Sequence, residues 1–297
     1  MAWFQIRFTS HSLESEKHSD LLIELGALSV TFEDAEDQPI LEPPPGETPL
    51  WDRVEVVGLF AKELNRELIK LALSQRLPAE SFSTISISDL KEQNWVRAWM
   101  DDFNPMQFGD NLWIIPSWSE PIDPNATNIL LDPGLAFGTG THQTTALCME
   151  WLDANRPVDK SVIDYGCGSG ILAIAAAKLG ARRVICVDND PQALTATTDN
   201  SEKNGVTSTL ETYLPVDFSK EYAGQIKVDL LLANILAGPL IELAPTLSSY
   251  IKLNGEIVLS GILNEQIDEV VAAYRPWFKL NPPTIQDGWV RIDGVKE

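Results

Sequence analysis

The chain has 297 residues, 44% of them apolar, with 43 acidic residues against 22 basic ones and a net charge of -21. That length allows two domains with a core each, while the charge disfavours a broad grip on RNA or DNA phosphates and suits either a basic protein partner or plain solubility. No apolar run approaches the roughly 18 residues of a membrane span, the start MAWFQIRFTSHSLESEK lacks the basic-then-apolar order of a signal peptide, and Cys148, Cys167 and Cys186 have no metal-ligand spacing, so a cytoplasmic protein with reduced thiols and no metal is expected.

Trp3 to Phe8 reads as a strand, Ser12 to Leu25 as a helix ending at Gly26, and Leu28 to Phe32 as a second strand. Glu33 to Pro49 is acidic, contains Pro43-Pro44-Pro45, and reads as a surface loop. Arg53 to Phe60 is a third strand, Ala61 to Gln75 a helix with apolar Leu64, Leu68, Ile69 and Leu71, and Phe82 to Ile87 a fourth strand. The order β-α-β-β-α-β is that of a small ferredoxin-like α+β domain over residues 1–90. It holds no catalytic constellation, which suits a binding module.

Residues 91–121 carry Trp95, Trp99, Phe103, Phe108, Trp113 and Trp118, too many rings for a solvated tether. This interdomain linker is expected to pack as a short helix and hairpin against one or both domains. From 122 to 297 the pattern is α/β. It opens with Asn128-Ile-Leu-Leu-Asp-Pro-Gly-Leu-Ala-Phe-Gly-Thr-Gly-Thr-His-Gln-Thr-Thr145, where Gly138 and Gly140 allow tight turns and Thr141, Thr144 and Thr145 sit at the start of a helix running to Asn155. Free N–H groups and hydroxyls at a helix start suit a carboxylate. His142 there reads as a capping or packing residue rather than a base.

Val162-Ile-Asp-Tyr-Gly-Cys-Gly-Ser-Gly170 is an apolar strand breaking into three glycines, followed by an Ala-rich helix from Ile171 to Ala177. Glycines let backbone N–H groups approach a ligand. A second strand, Val184-Ile-Cys-Val-Asp188, ends about 20 residues on in a carboxylate placed to hydrogen-bond ribose hydroxyls. The spacing G-x-G-x-G, with Asp164 before it and no base within it, departs from the dinucleotide pattern G-x-G-x-x-G and suits a phosphate-free, cationic cofactor. Lys227-Val-Asp-Leu-Leu-Leu-Ala-Asn-Ile-Leu-Ala-Gly-Pro239 is a strand ending in Asn234, with a proline-initiated helix after it, which sets Asn234 at the carboxyl edge of the sheet. The aromatic that stacks on a base or planar amide in related enzymes is missing after Asn234.

Together, LDPGLAFGTGTH, the Asp164 to Gly170 loop, Asp188 and Asn-Ile-Leu-Ala-Gly-Pro resemble the PrmA family, class I S-adenosylmethionine-dependent methyltransferases acting on the eleventh large-subunit ribosomal protein. The resemblance covers nearly the whole chain. It implies a Rossmann-like methyltransferase domain over 122–297, S-adenosyl-L-methionine as cofactor, and an N-terminal domain that recognises a basic ribosomal protein. It also implies cofactor contacts at Thr145, Gly166, Asp188 and Asn234, to which the glycine loop adds Gly168, and methyl transfer to lysine ε-amines and/or an N-terminal α-amine. Asn234 is then the catalytic candidate, its side-chain carbonyl orienting the amine. A monomer without direct nucleic-acid or membrane contacts is expected. The rival readings are a class I methyltransferase acting on RNA or another small substrate, and a non-enzymatic nucleoside-binding protein on the same fold.

Overall fold

Alternation of buried and half-buried residues along Trp3–His11 makes it a strand with one apolar face, β1. Phe4, Ile6 and Phe8 point to one side and are fully buried, each burial contributing about 1.5–3 kcal/mol. The computed structural model describes residues 3–36, 38, 49–90, 104–132, 142–222 and 225–297. The chain divides into two compact units, Met1–Met100 and Asp101–Glu297.

In the first unit β1 is followed by α1 (Ser12–Glu24), β2 (Ser29–Asp34), β3 (Arg53–Ala61), α2 (Arg66–Arg76), α3 (Ala79–Ser83) and β4 (Ser86–Leu90). The sheet order is β2-β3-β1-β4 with every pair antiparallel, the ferredoxin-like arrangement. Leu21 and Leu22 of α1 and Ile69 and Leu73 of α2 pack on the face formed by β1 and β3. Two element starts differ most from the sequence reading. The helix expected from Ala61 starts at Arg66, because β3 keeps its pairing with β1 through Ala61 and the Asn65 side chain accepts the N–H groups of Glu67 and Leu68 as the N-cap. The strand expected over Phe82–Ile87 begins at Ser86, because the chain after Pro78 first closes the turn of α3, with Phe82 N–H donating to Pro78 O at 2.9 Å.

The second unit begins before the boundary expected from the sequence. Within the stretch read as a linker, β5 (Met106–Phe108) and β6 (Leu112–Ile115) form a hairpin, joined in parallel by β7 (Thr127–Leu130). Phe108, Leu112 and Ile114 are buried in this unit's own core, so the described part of the stretch belongs to it. Trp95, Trp99 and Phe103 lie outside the described residues, as do Gly138, Gly140 and Thr141.

There follow α4 (Gln143–Ala154), β8 (Ser161–Tyr165), α5 (Ile171–Lys178), β9 (Arg183–Val187), α6 (Pro191–Lys203), β10 (Leu210–Tyr213), α7 (Pro215–Tyr222), β11 (Val228–Asn234), α8 (Ala237–Ser249), β12 (Ile251–Leu263), α9 (Ile267–Tyr274), β13 (Phe278–Leu280), β14 (Thr284–Gln286) and β15 (Trp289–Lys296). The sheet order is β10-β9-β8-β11-β12-β15-β13, with β8 to β12 parallel and β15 antiparallel. Both faces are covered. Val162, Val184, Leu230 and Leu232 pack toward α4 and α5, whereas Ile163, Ile185, Leu231 and Ala233 pack toward α7, α8 and α9. That double burial is why these strands are continuous apolar runs. The order reverses direction between β8 and β11, and ligands bind outside the carboxyl ends of strands at such a point.

Candidate active site

At that point β8 gives way to the glycine loop. Gly166, Gly168 and Gly170 have φ of 80°, 56° and 78°, a region costly for any side chain. A β-carbon at Gly166 would overlap Ile235 Cγ2, and one at Gly170 would lie 2.8 Å from Thr197 Cγ2. The expectation that their N–H groups face a ligand is not met. Gly166 N–H donates to Val187 O at 2.7 Å, Gly168 N–H to Asp188 Oδ2 at 2.9 Å and Gly170 N–H to Cys167 O at 2.8 Å. The glycines give the loop its shape, and the protein itself takes up their donors.

Asp188 follows β9 and does two jobs in this loop. Its Oδ2 accepts from Gly168 and its Oδ1 from Asp190 N–H at 3.0 Å, so the carboxylate is fixed by backbone groups while keeping lone pairs for a hydroxyl. Two buried residues of α6 support the loop from behind and went unnoticed in the sequence. Thr197 donates to Gly168 O at 3.0 Å and Asn200 to Ser169 O at 2.9 Å. Their signal was available: polar residues three apart on the buried face of an amphipathic helix.

Thr145 and Asn234, 89 residues apart, meet: Asn234 Nδ2 donates to Thr145 Oγ1 at 3.3 Å. Thr145 is fully buried, and its N–H donates to His142 O at 3.0 Å, so this N–H is not free for a carboxylate. His142 caps α4, its Nδ1 accepting from Thr144 N–H, and its ring meets Trp289 edge-on with centroids 4.7 Å apart. Gln286 Nε2 donates to Gln143 Oε1 at 3.0 Å, so the β14–β15 turn packs at the start of α4. No local pattern announces a contact between residues 143 positions apart.

Two cavities adjoin here. Thr145, Gly166, Gly168 and Asn234 line a small one of about 30 Å³. Gly166 also lines a larger one of about 350 Å³, with Asp188, Asn189, Pro215, Ile235 and Leu236. Asp188 is the one charged residue among the described residues lining either. All five residues expected to hold the cofactor therefore fall on this pair of cavities.

Two buried oxygens at this edge lack a partner among the described residues, Asp164 Oδ1 and Asn234 Oδ1. An unpaired buried acceptor costs about 1–3 kcal/mol. Asp164 is 1% exposed; its Oδ2 accepts from Ala173 N–H at 3.0 Å in the first turn of α5. Burial pushes its carboxyl up to about 7, the Ala173 bond opposes this, and nearby Asp188 adds to it. Orphaned acceptors, carboxyl groups and no cation among the described lining residues fit a cationic sulfonium nucleoside and do not fit a pyrophosphate.

A switch-point sheet of this order, with a glycine loop after β8 and an acid at the end of β9, defines a class I methyltransferase, whose methyl donor is S-adenosyl-L-methionine. The family model described as ribosomal protein L11 methyltransferase (PrmA) matches residues 2–297. The chain is 51% identical over 297 residues, all of both chains, to the ribosomal protein L11 methyltransferase of Actinobacillus pleuropneumoniae serotype 5b (strain L20). It is 50% identical over 294 residues to that of Haemophilus influenzae (strain PittEE), covering 99% of this chain and 98% of that one. Among solved structures it resembles a ribosomal protein L11 methylase from Lactobacillus delbrueckii subsp. bulgaricus, with a TM-score of 0.60 and 32% identity over 66% of this chain and all of the other. The chain belongs to the ribosomal protein L11 methyltransferase (PrmA) family.

Proposed function

We propose that this protein methylates ribosomal protein L11 on amine nitrogens, lysine ε-amines and/or the N-terminal α-amine, with Asn234 as the catalytic residue. The observation that carries the reading is the unpartnered Oδ1 of Asn234, buried where the side chain is held by Thr145 beside the glycine loop. Thr145, Gly166, Gly168, Asp188 and Asn234 would hold S-adenosyl-L-methionine, which when bound supplies an electrophilic methyl carbon on a sulfonium. The acceptor amine must arrive neutral, and an apolar surrounding favours that form by disfavouring the ammonium. Its proton leaves to solvent before transfer. Asn234 Oδ1 then accepts an amine N–H and fixes the direction of the nitrogen lone pair, which is orientation rather than general-base catalysis. His142 is occupied as a helix cap and stands outside this scheme.

Residues 1–90 supply substrate recognition, and the net charge of -21 draws a basic protein toward the enzyme. On this reading the enzyme works as a monomer in the cytoplasm, without direct nucleic-acid or membrane contacts. None of the described helices is long and apolar enough to cross a membrane. The test is incubation with labelled S-adenosyl-L-methionine and two acceptors, purified ribosomal protein L11 and ribosomal RNA. Label on the protein, mapped to amines, is expected; label on the RNA alone would overturn the proposal.

A further inference from the structure

Asn234 ends β11, where it pairs in parallel register with Ser260 of β12. The residues after each of these two, Ile235 and Gly261, are in contact across the strands. Gly261 has a φ of +85°, at a break in the β12–β15 register between Leu259 and Ile262. A β-carbon there would overlap the Ile235 carbonyl oxygen and lie 2.7 Å from its carbonyl carbon and 3.1 Å from its nitrogen. The side chain of the same residue meets a second glycine: Ile235 Cγ2 occupies the space a β-carbon at Gly166 would fill. Ile235 is thus seated between two glycines, its main chain on Gly261 and its side chain on Gly166. Gly166 is itself fixed by its bond to Val187 O.

We infer that Gly261 is a positioning residue for methyl transfer: by lacking a side chain it lets the Ile235 peptide settle against β12, and this sets the height of the adjoining Asn234 amide relative to the glycine loop. Gly261 lines neither cavity, so it acts only through Ile235. Any side chain at 261 meets the Ile235 carbonyl first and pushes the main chain of Ile235, next to Asn234, outward, and displacements of about 1 Å in a positioning group cost on the order of 100-fold in rate. The inference rests on the orienting role proposed for Asn234.

Gly261→Ala in the full-length enzyme tests it, with Gly205→Ala as a control for backbone strain. Gly205 also has positive φ, +68°, yet a β-carbon there meets nothing within 4 Å. Folding is checked by circular dichroism and the thermal midpoint, cofactor affinity by calorimetry, and methyl transfer to ribosomal protein L11 by single turnover at saturating cofactor. The expected result for Gly261→Ala is a rate at least tenfold lower with a cofactor Kd within threefold of the parent, while Gly205→Ala keeps its rate. A rate within threefold of the parent, a defect confined to Kd, or an equal loss in the control overturns the inference. Should Gly261→Ala not fold, Ile235→Ala takes its place: it should lose at least tenfold at saturating cofactor, and Ile235→Val, which keeps Cγ2, should recover most of that loss; equal rates for the two sink the idea. Asn234→Ala runs in parallel. If it keeps its rate, the orienting role itself is wrong, whereas its loss beside an active Gly261→Ala refutes this inference alone.

Discussion

Both units put helices on a β-sheet, yet among the described residues the candidate ligand site falls on only one, and strand direction accounts for the difference. In the first unit adjacent strands alternate in direction, so each edge of the sheet mixes strand starts with strand ends. In the second, β8, β9, β11 and β12 all end on one side, which brings Gly166, Asp188, Asn234 and Ser260 to a common edge. The first unit buries one core under one face; the second buries a core on each face. A parallel sheet needs that double cover, and the crossovers that provide it leave their loops at the carboxyl edge. The substrate recognition proposed for the antiparallel unit asks only for a stable surface.

The sharpest way to break this division of labour is to remove residues 1–90. The remaining unit should bind S-adenosyl-L-methionine within threefold of the parent by calorimetry. Its kcat/KM toward ribosomal protein L11 should fall on the order of 1,000-fold, since remote contacts supply about 4 kcal/mol of positioning energy. Full activity of a soluble truncation would show that recognition lies elsewhere. Next in size, Asn234→Ala should lower single-turnover transfer about 100-fold at saturating cofactor; a change confined to cofactor affinity would make Asn234 a binding residue only. Asp188→Ala comes third. It removes a charged acceptor and frees Gly168 N–H, so cofactor affinity should drop about 10- to 100-fold, corresponding to roughly 1.5–3 kcal/mol. An unchanged Kd in a folded variant would exclude the ribose role.

The smallest effect opposes the two units directly. Asp164 has a folded-state pKa raised from 3.8 to about 7, so the folded second unit holds a proton that the unfolded chain has released, and its stability falls as pH rises between those values. Between pH 5 and pH 7 this amounts to about 2 kcal/mol. In the first unit buried His18, hydrogen-bonded through Nδ1 to Ser10 Oγ at 2.7 Å, has its pKa lowered by burial. The unfolded chain then takes up the proton first, so that unit loses stability as pH falls below the ordinary histidine value of 6.5. His142, also lowered by burial, offsets part of the Asp164 effect. Hydrogen exchange at pH 5 and pH 7, corrected for intrinsic rates, should show β1–β4 gaining protection as β8–β12 lose it. A parallel change in both units would contradict the assignment.

Much of the site was legible because its chemistry is local in sequence. Glycines at positive φ, an acid at a strand end and an asparagine at another each declare a backbone need or a ligand type by themselves. The role of the glycine N–H groups was not legible, since Val187 O and Asp188 Oδ2 reach them from another strand. In the first unit the period-2 pattern of β1 and β3 was plain, but α2 starts at Arg66 because Asn65 caps it and β3 holds Ala61, a competition decided by pairing with β1. Similarly, rings in the 91–121 stretch suggested a packed segment, while membership of Phe108 in the second unit's core depended on α4 and α5 being there to receive it.

The sequence by itself determined the β-α-β-β-α-β order of the first unit, the strands and glycine loop around Asp164, Asp188 and Asn234, and the residue types that suit a cationic nucleoside, because these follow from backbone conformation and side-chain chemistry over a few residues. Only the tertiary structure decided that β11 lies beside β8, so that Asn234 Nδ2 reaches Thr145, and that Ile235 is seated between Gly166 and Gly261. The first of these contacts joins residues 89 positions apart. Such contacts are selected by how two buried faces fill space together, and no single segment carries that information.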